Sequence, residues 1–195
     1  MRAMLAERDQ MTIEEFLQFT ATRPDDEKWE LIEGQPVLNA TPTDFHQLIA
    51  TNLIVELTLV RRANKATWLV LPGVGTRVPI SPRSLPAPDV MVKQQPGSGS
   101  HVSDEALVLF EILSPSNTPS DQAWRRRVYA SIPNLQHYVT VQQKSVLVTR
   151  YDRTNAWKAA RIASIDAVLE LPALDGVIPL GTIYRDTPHA SDAAI

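Results

Sequence analysis

A carboxylate stands where the interior of a strand should be. In "EALVLFEILSPS", residues 105–116, Leu107, Val108, Leu109 and Phe110 are followed by Glu111 and then by Ile112 and Leu113. Read as a strand, Leu107, Leu109, Glu111 and Leu113 share one face and Val108, Phe110 and Ile112 the other. Both faces are apolar, so the strand is central and covered on both sides. An ionised carboxylate there carries a large desolvation cost unless it is protonated, hydrogen-bonded, paired with a cation or bound to a metal. A second carboxylate, Asp89, follows Pro88 at the start of "DVMVK", about twenty residues before Glu111. Proline suits the first residue of a strand and fixes how the chain enters it. If the two strands are neighbours, Asp89 and Glu111 converge. Mg²⁺ or Mn²⁺, which favour carboxylate oxygens, backbone carbonyls and water, could then lie between them. Taken singly each signal is bland: Pro-Asp is common turn chemistry, and a lone glutamate can pair with an arginine.

Composition narrows the class. At 195 residues the chain is sized for one core and one domain. It is 44% hydrophobic and 21% charged, ordinary values for a globular protein. No run approaches the roughly 18 to 20 apolar residues that cross a bilayer. The start, "MRAMLAERDQMTIEEF", is too acidic and too short in its apolar run for a secretory signal. No membrane partner and a cytoplasmic location are expected. The absence of cysteine excludes disulfides, thiolate zinc sites and a cysteine nucleophile. A net charge of −3 argues against a purely electrostatic nucleic-acid binder. It leaves room for an enzyme that meets a phosphate backbone through one patch and a metal.

These residues need rigid carriers. Thr12 with Glu15 is a capping-box pattern, and "TIEEFLQFTAT" reads as a short helix. "WELIEGQPVLNA" reads as two short strands turned at Gly34. Thr43 or Asp44 can cap a longer helix, "DFHQLIATNLIVELTLVRRA", with Phe45, Leu48, Ile49, Leu53, Leu57 and Val60 at helical spacing. Short β-rich runs follow in "TWLVLPGVGTRVPI", then the Asp89 strand, a mobile loop "QQPGSGSHVSDE", and the Glu111 strand. Thr118, Pro119 and Asp121 mark another helix start. "QHYVTV" and "KSVLVTRYDR" form a hairpin around Gln142-Gln143, and "NAWKAARIAS" can add an edge strand. The order predicts one α/β domain over residues 1–185, a mixed sheet flanked by helices, with a disordered tail over 186–195. Arg125, Arg126 and Arg127 fan around the last helix, as a solvated face or as a local phosphate clamp. Lys93 shares a strand face with Asp89 and Met91. It reads more readily as a solvated strand end than as a basic group of the site.

"PDV", followed about twenty residues later by "FEILSPS", resembles the PD-(D/E)xK nuclease superfamily and, more narrowly, the Uma-two family of restriction-endonuclease-like proteins. The pattern runs through "MTIEEFLQF", "WELIEGQPV", "FHQLIATNL", "PDVMV", "EILSPSN" and "SDQAWRRRVYASIPNLQHYVTV", nearly the whole chain. The resemblance implies a restriction-endonuclease-like fold, a divalent metal, Mg²⁺ or Mn²⁺, and hydrolysis of phosphodiester bonds. It implies Asp89 and Glu111 as metal ligands, with the carbonyl of Ile112 as a third. The superfamily's lysine belongs two residues after Glu111, where this chain has Leu113. In Uma-two-like sequences the basic residue stands on the next helix, four residues before a tyrosine; counted back from Tyr129, that is Arg125. Lysine can share a proton and orient the attacking water, whereas arginine stays protonated and can stabilise phosphate charge without acting as a base. Glu30 in "WELIEG" matches a recurrent family position, and is expected either to ligate or orient a metal-bound water or to be a surface hairpin carboxylate. His46, near the start of the long helix, is expected either to face a phosphate or to be structural.

Two functions follow. The first is a metal-dependent endonuclease acting on DNA. The alternative is a catalytically degenerate relative that binds nucleic acid or a protein partner without cleavage, which Leu113 and Arg125 favour. Some other phosphoester as substrate is a third, since fold does not fix function. Cutting both strands of a duplex suits a two-fold homodimer.

Overall fold

The run around Glu111 is the middle of the molecule. The computed structural model describes residues 10–94, 97, 99–114 and 117–190. In chain order its helices are α1 (Ile13–Thr20), α2 (Asp44–Ala63), α3 (Pro119–Ala130) and α4 (Leu180–Ile183). The strands of the first half are β1 (Trp29–Ile32), β2 (Gln35–Leu38), β3 (Leu69–Pro72), β4 (Gly75–Thr76), β5 (Val90–Lys93) and β6 (Val102–Ser103). Those of the second are β7 (Ala106–Leu113), β8 (His137–Gln142), β9 (Val148–Asp152), β10 (Ala159–Ile162), β11 (Val168–Leu171) and β12 (Gly176–Pro179).

Six strands form the main sheet in the order β10-β9-β8-β7-β5-β3. β7 and β8 run parallel with α3 as their crossover, and every other neighbouring pair is antiparallel. The sheet is therefore mixed and flanked by helices, as the order of patterns predicts. Every residue of β7 is buried, which is why both of its faces are apolar. Val108, Phe110 and Ile112 pack with Ile49, Leu53 and Leu57 of α2. On the other face Leu109 packs with Val128, Tyr129 and Ile132, at and just beyond the end of α3. Each such fully buried side chain contributes roughly 1.5–3 kcal/mol. Phe45, expected on the apolar stripe of α2, is 37% exposed instead.

Local chemistry sets the ends. Thr12 with Glu15 and Thr118 with Asp121 both close reciprocal capping boxes. Thr43, not Asp44, caps α2, its hydroxyl accepting from the His46 amide at 3.3 Å. Glu33 and Gly34 turn the β1–β2 hairpin with φ of 50° and 78°. Only glycine fits the second place, since a Cβ there would lie 2.6 Å from Gln10 Cβ.

The β8–β9 connection spans residues 143–147, because Gln142 still belongs to β8. β11 and β12, which no strong pattern announces, pair with each other and turn Leu169, Leu171 and Ile178 onto the α2 side of the core. Within the loop expected after Lys93, Val102–Ser103 pairs in parallel with Gly75–Thr76; residues 95, 96 and 98 lie outside the described residues. Of the expected tail, 191–195 also lie outside them, while Thr187 is buried and His189 Nε2 donates to Gln143 O at 2.9 Å. Among the described residues no helix is long and apolar enough to cross a membrane.

Candidate active site

Two strand ends meet here. β5 pairs with β7 so that Val90 faces Phe110 and Met91 faces Leu109. One further step of that ladder brings Asp89 opposite Glu111, on the side of the sheet that α3 covers. β5 has ended by this point, and the Asp89 carboxylate takes over from its backbone. The Ile112 amide donates to Asp89 Oδ2 at 2.7 Å. His46 Nε2, on the first turn of α2, lies 3.2 Å from Asp89 Oδ1.

Glu111 is only 6% exposed. Tyr129 OH donates to its Oε1 at 2.8 Å and Arg125 NH1 donates to the same oxygen at 3.0 Å. Tyr129 and Arg125 lie one helical turn apart on α3, so they reach the carboxylate together. Burial pushes the Glu111 pKa up to about 8; Arg125 opposes this, while Asp89 and Glu30 add to it. Arg125 does not cancel the shift because the desolvation is the larger effect; the guanidinium is also shared. Its NH1 and NH2 also donate to Glu30 Oε1 and Oε2, at 3.0 and 2.5 Å. Burial works against the guanidinium charge, but Glu111, Tyr129 and Glu30 hold its pKa above the ordinary value.

Glu30 sits on β1, which bridges to the segment leading into Asp89 through Leu31 and Leu85. The Ala87 amide donates to Glu30 Oε1 at 2.6 Å, and the residue is 2% exposed. A surface hairpin carboxylate it is not. Arg126 and Arg127 are exposed, and Arg126 stacks over Tyr151 at 5.3 Å. The three arginines diverge, and one of them enters the site. Lys93 also departs from expectation: it is buried, 3.7 Å from Glu105, and lies at the far end of β5 from Asp89.

Asp89, Glu111, Arg125, Glu30 and His46 all line one open cleft of about 1200 Å³. Two atoms of the site keep bonding capacity. Among the described residues His46 Nδ1 is buried without a partner, and both bonds to Glu111 fall on Oε1, none on Oε2. Asp89, Glu111 and the Ile112 carbonyl are hard oxygen donors, so in kind they fit Mg²⁺ or Mn²⁺ with water completing the shell. Among the described residues no group of three His, Cys, Asp or Glu could hold a metal; the donor set that the resemblance implies is two carboxylates and a backbone oxygen.

Two residues of the site carry no obvious sequence signal. Gln143, the first residue after β8, donates from Nε2 to Leu113 O at 3.1 Å and accepts from the Thr43 hydroxyl at 2.8 Å. It thereby ties the start of α2 to the strand end that bears Glu111. Tyr129, in the sequence only a landmark for Arg125, donates its own hydroxyl hydrogen bond to Glu111.

Among solved structures the fold is similar to that of a "putative nuclease belonging to DUF820 from Anabaena variabilis", with a TM-score of 0.72 at 15% identity. That likeness covers 89% of this chain and 97% of the other. A DrdV–DNA complex is similar more loosely, with a TM-score of 0.37 at 16% identity over 74% of this chain and 14% of that one. A likeness so loose carries no weight. No curated protein matches the chain. Residues 13–180 match the Uma2 family, described as "Putative restriction endonuclease", and the chain belongs to that family.

Proposed function

We propose that this protein is a metal-dependent endonuclease that hydrolyses DNA phosphodiester bonds. The observation that carries the reading is the meeting of Asp89 and Glu111 at one end of the β5–β7 ladder, where the Ile112 amide holds Asp89, at the wall of an open cleft. Membership of a family described as restriction endonucleases supports phosphodiester cleavage over other chemistry. Asp89, Glu111 and the Ile112 carbonyl would hold Mg²⁺ or Mn²⁺. Such an ion, when bound, polarises the scissile phosphate and lowers the pKa of a coordinated water.

The chain's own groups supply the rest. Arg125 stays protonated and offsets charge that develops on the phosphate. It cannot take a proton from the attacking water, and Leu113 offers no lysine in its stead. His46 steadies Asp89 from the α2 side, and the Tyr129 hydroxyl fixes Glu111 by Oε1. A two-fold dimer would offer two such sites to the two strands of a duplex.

The test is nicking of supercoiled plasmid with Mg²⁺ or Mn²⁺ by wild type and Asp89→Asn. Cleavage by the first and not the second supports the reading. Cleavage that survives Asp89→Asn defeats it, by locating the activity elsewhere. The second reading, a degenerate relative that binds without cutting, draws on the Arg125–Glu111 contact and on Leu113. Retarded migration of DNA without cleavage by wild type would favour it.

A further inference from the structure

We infer that Arg125 is the resident hydrogen-bond partner of Glu111, that a divalent cation must displace it from that carboxyl group, and that Glu30 keeps the displaced guanidinium beside the site. The inference rests on the reading of Asp89 and Glu111 as metal ligands. It assigns Glu30 a positioning role exerted through Arg125, not a place in the metal's shell.

The hydrogen-bond pattern carries it. Arg125 NH1 is divided between Glu111 Oε1 and Glu30 Oε1, each at 3.0 Å, while NH2 serves Glu30 Oε2 alone at 2.5 Å. The grip on Glu30 is therefore two-pronged and the grip on Glu111 single, so the Glu111 contact is the one to open first. Solvent does little to weaken either: the Arg125 side chain is 13% exposed, and those of Glu111 and Glu30 are 8% and 2% exposed. Glu30 is itself pinned by the Ala87 amide at 2.6 Å, so it makes a fixed pivot. A cation that arrives at Glu111 meets a guanidinium already seated on the same carboxylate, and the two positive charges repel. Once NH1 leaves Glu111, the NH2 bond to Glu30 remains. NH1 also stays on Glu30 Oε1, so what the exchange releases is one N–H of NH1, turned to the cleft where a phosphate would lie.

The experiment is direct measurement of Mn²⁺ binding, by the free-ion EPR signal, to five proteins. They are wild type, Arg125→Gln, Arg125→Lys, Glu30→Gln and the Arg125→Gln/Glu30→Gln double variant, each checked for folding by circular dichroism. Removal of the competitor in Arg125→Gln should tighten Mn²⁺ binding by at least about tenfold. Lysine has one nitrogen and cannot bridge both carboxylates, so Arg125→Lys should fall between wild type and Arg125→Gln. That variant keeps the test decisive if Arg125→Gln does not fold. Glu30→Gln alone should weaken Mn²⁺ binding, because Arg125 then belongs to Glu111 only. In the Arg125→Gln background it should change nothing. Equal affinity in wild type and the Arg125 variants overturns the competition. An equal loss from Glu30→Gln with and without Arg125 overturns the positioning role and makes Glu30 a direct contributor. Absence of Mn²⁺ binding in every protein defeats the metal reading itself and this inference with it.

Discussion

Two buried clusters of mixed charge are built on the same sheet, and only one of them borders the cleft. At the start of β8, His137 Nδ1 donates to Asp152 Oδ1 at 2.6 Å, and Arg150 Nε donates to Asp152 Oδ2 at 3.0 Å. His137 Nε2 accepts from the Ala173 amide at 3.2 Å, and Arg150 also donates to Glu170 O. Both ring nitrogens are used, and this network assigns the proton to Nδ1. The cluster clips β8 and β9 to the β11–β12 hairpin. Near the other end of β7, Glu111, Arg125 and Glu30 repeat the chemistry in a different setting. There, among the described residues, His46 Nδ1 lacks a partner and Glu111 Oε2 accepts no hydrogen bond, beside an open cleft. Buried charge alone does not mark a site. Unspent bonding capacity at an opening does.

The comparison can be broken most sharply at Asp89. Asp89→Asn should bring plasmid nicking below detection while the melting temperature changes little, since the asparagine oxygen can still accept the Ile112 amide. A comparable loss of stability would mean that Asp89 is as structural as Asp152. Next in size is Arg125→Ala, which should slow nicking at saturating Mn²⁺ by on the order of 10² to 10³, the usual cost of one lost stabilising donor. Arg125→Lys should keep or raise the rate. If Arg125→Ala cuts as fast as wild type, the arginine serves Glu111 and never the phosphate.

The unequal legibility of the two clusters has a physical cause. Capping boxes at Thr12 and Thr118, the stripe of Ile49, Leu53 and Leu57, and the apolar run of β7 are local patterns, and each element formed where its pattern lies. Asp89 and Glu111 were readable because each interrupts such a strong pattern or opens one. Glu30, Arg125 and His46 were singled out only through the family resemblance, and which of them meets which was not readable. Glu30 meets Arg125 across 95 residues and Thr43 meets Gln143 across 100, and nothing near either residue in the chain announces the contact. The closed cluster was wholly silent. "VLEL" and "GVIP" are short and lie among prolines, so β11 and β12, and with them the Ala173 amide that engages His137, become visible only in three dimensions. Lys93 reads as a solvated strand end only until its strand is seen to be buried throughout.

A stability test separates the clusters at the next level. Asp152→Ala would strand His137 and Arg150 without their shared acceptor. Loss of one partner from a buried charged pair costs about 3–5 kcal/mol, and the side chains here are 6% to 17% exposed, so the lower figure is expected. Urea unfolding should report it, while the nicking rate per folded molecule stays unchanged. A variant with a wild-type unfolding midpoint would show that the cluster is not the clip described here.

The smallest effects are those of pH, and the two clusters should respond with opposite sign. Burial lowers the His137 pKa below 6.5 against the pull of the Asp152 hydrogen bond and charge. The unfolded chain then binds the proton more readily than the fold. Its contribution is fully present above about pH 6.5 and is lost as pH falls through the lower folded value. Glu111 runs the other way, because its pKa is raised from 4.5 to about 8 and the fold prefers the protonated acid. Its contribution is full below about pH 4.5 and is lost as pH rises towards 8. In metal-free protein, His137→Gln should therefore flatten the fall in melting temperature as pH drops below about 6.5, and Glu111→Gln the fall between roughly pH 5 and 8. Mg²⁺ should restore only the second loss, since a cation favours the ionised carboxylate and has no place in the closed cluster. The His137 change should be the smaller, because the Asp152 carboxylate that steadies the neutral ring also stabilises the imidazolium. A Mg²⁺ response at pH 8 that is identical in wild type and Glu111→Gln would put the ion elsewhere and erase the distinction between the two clusters.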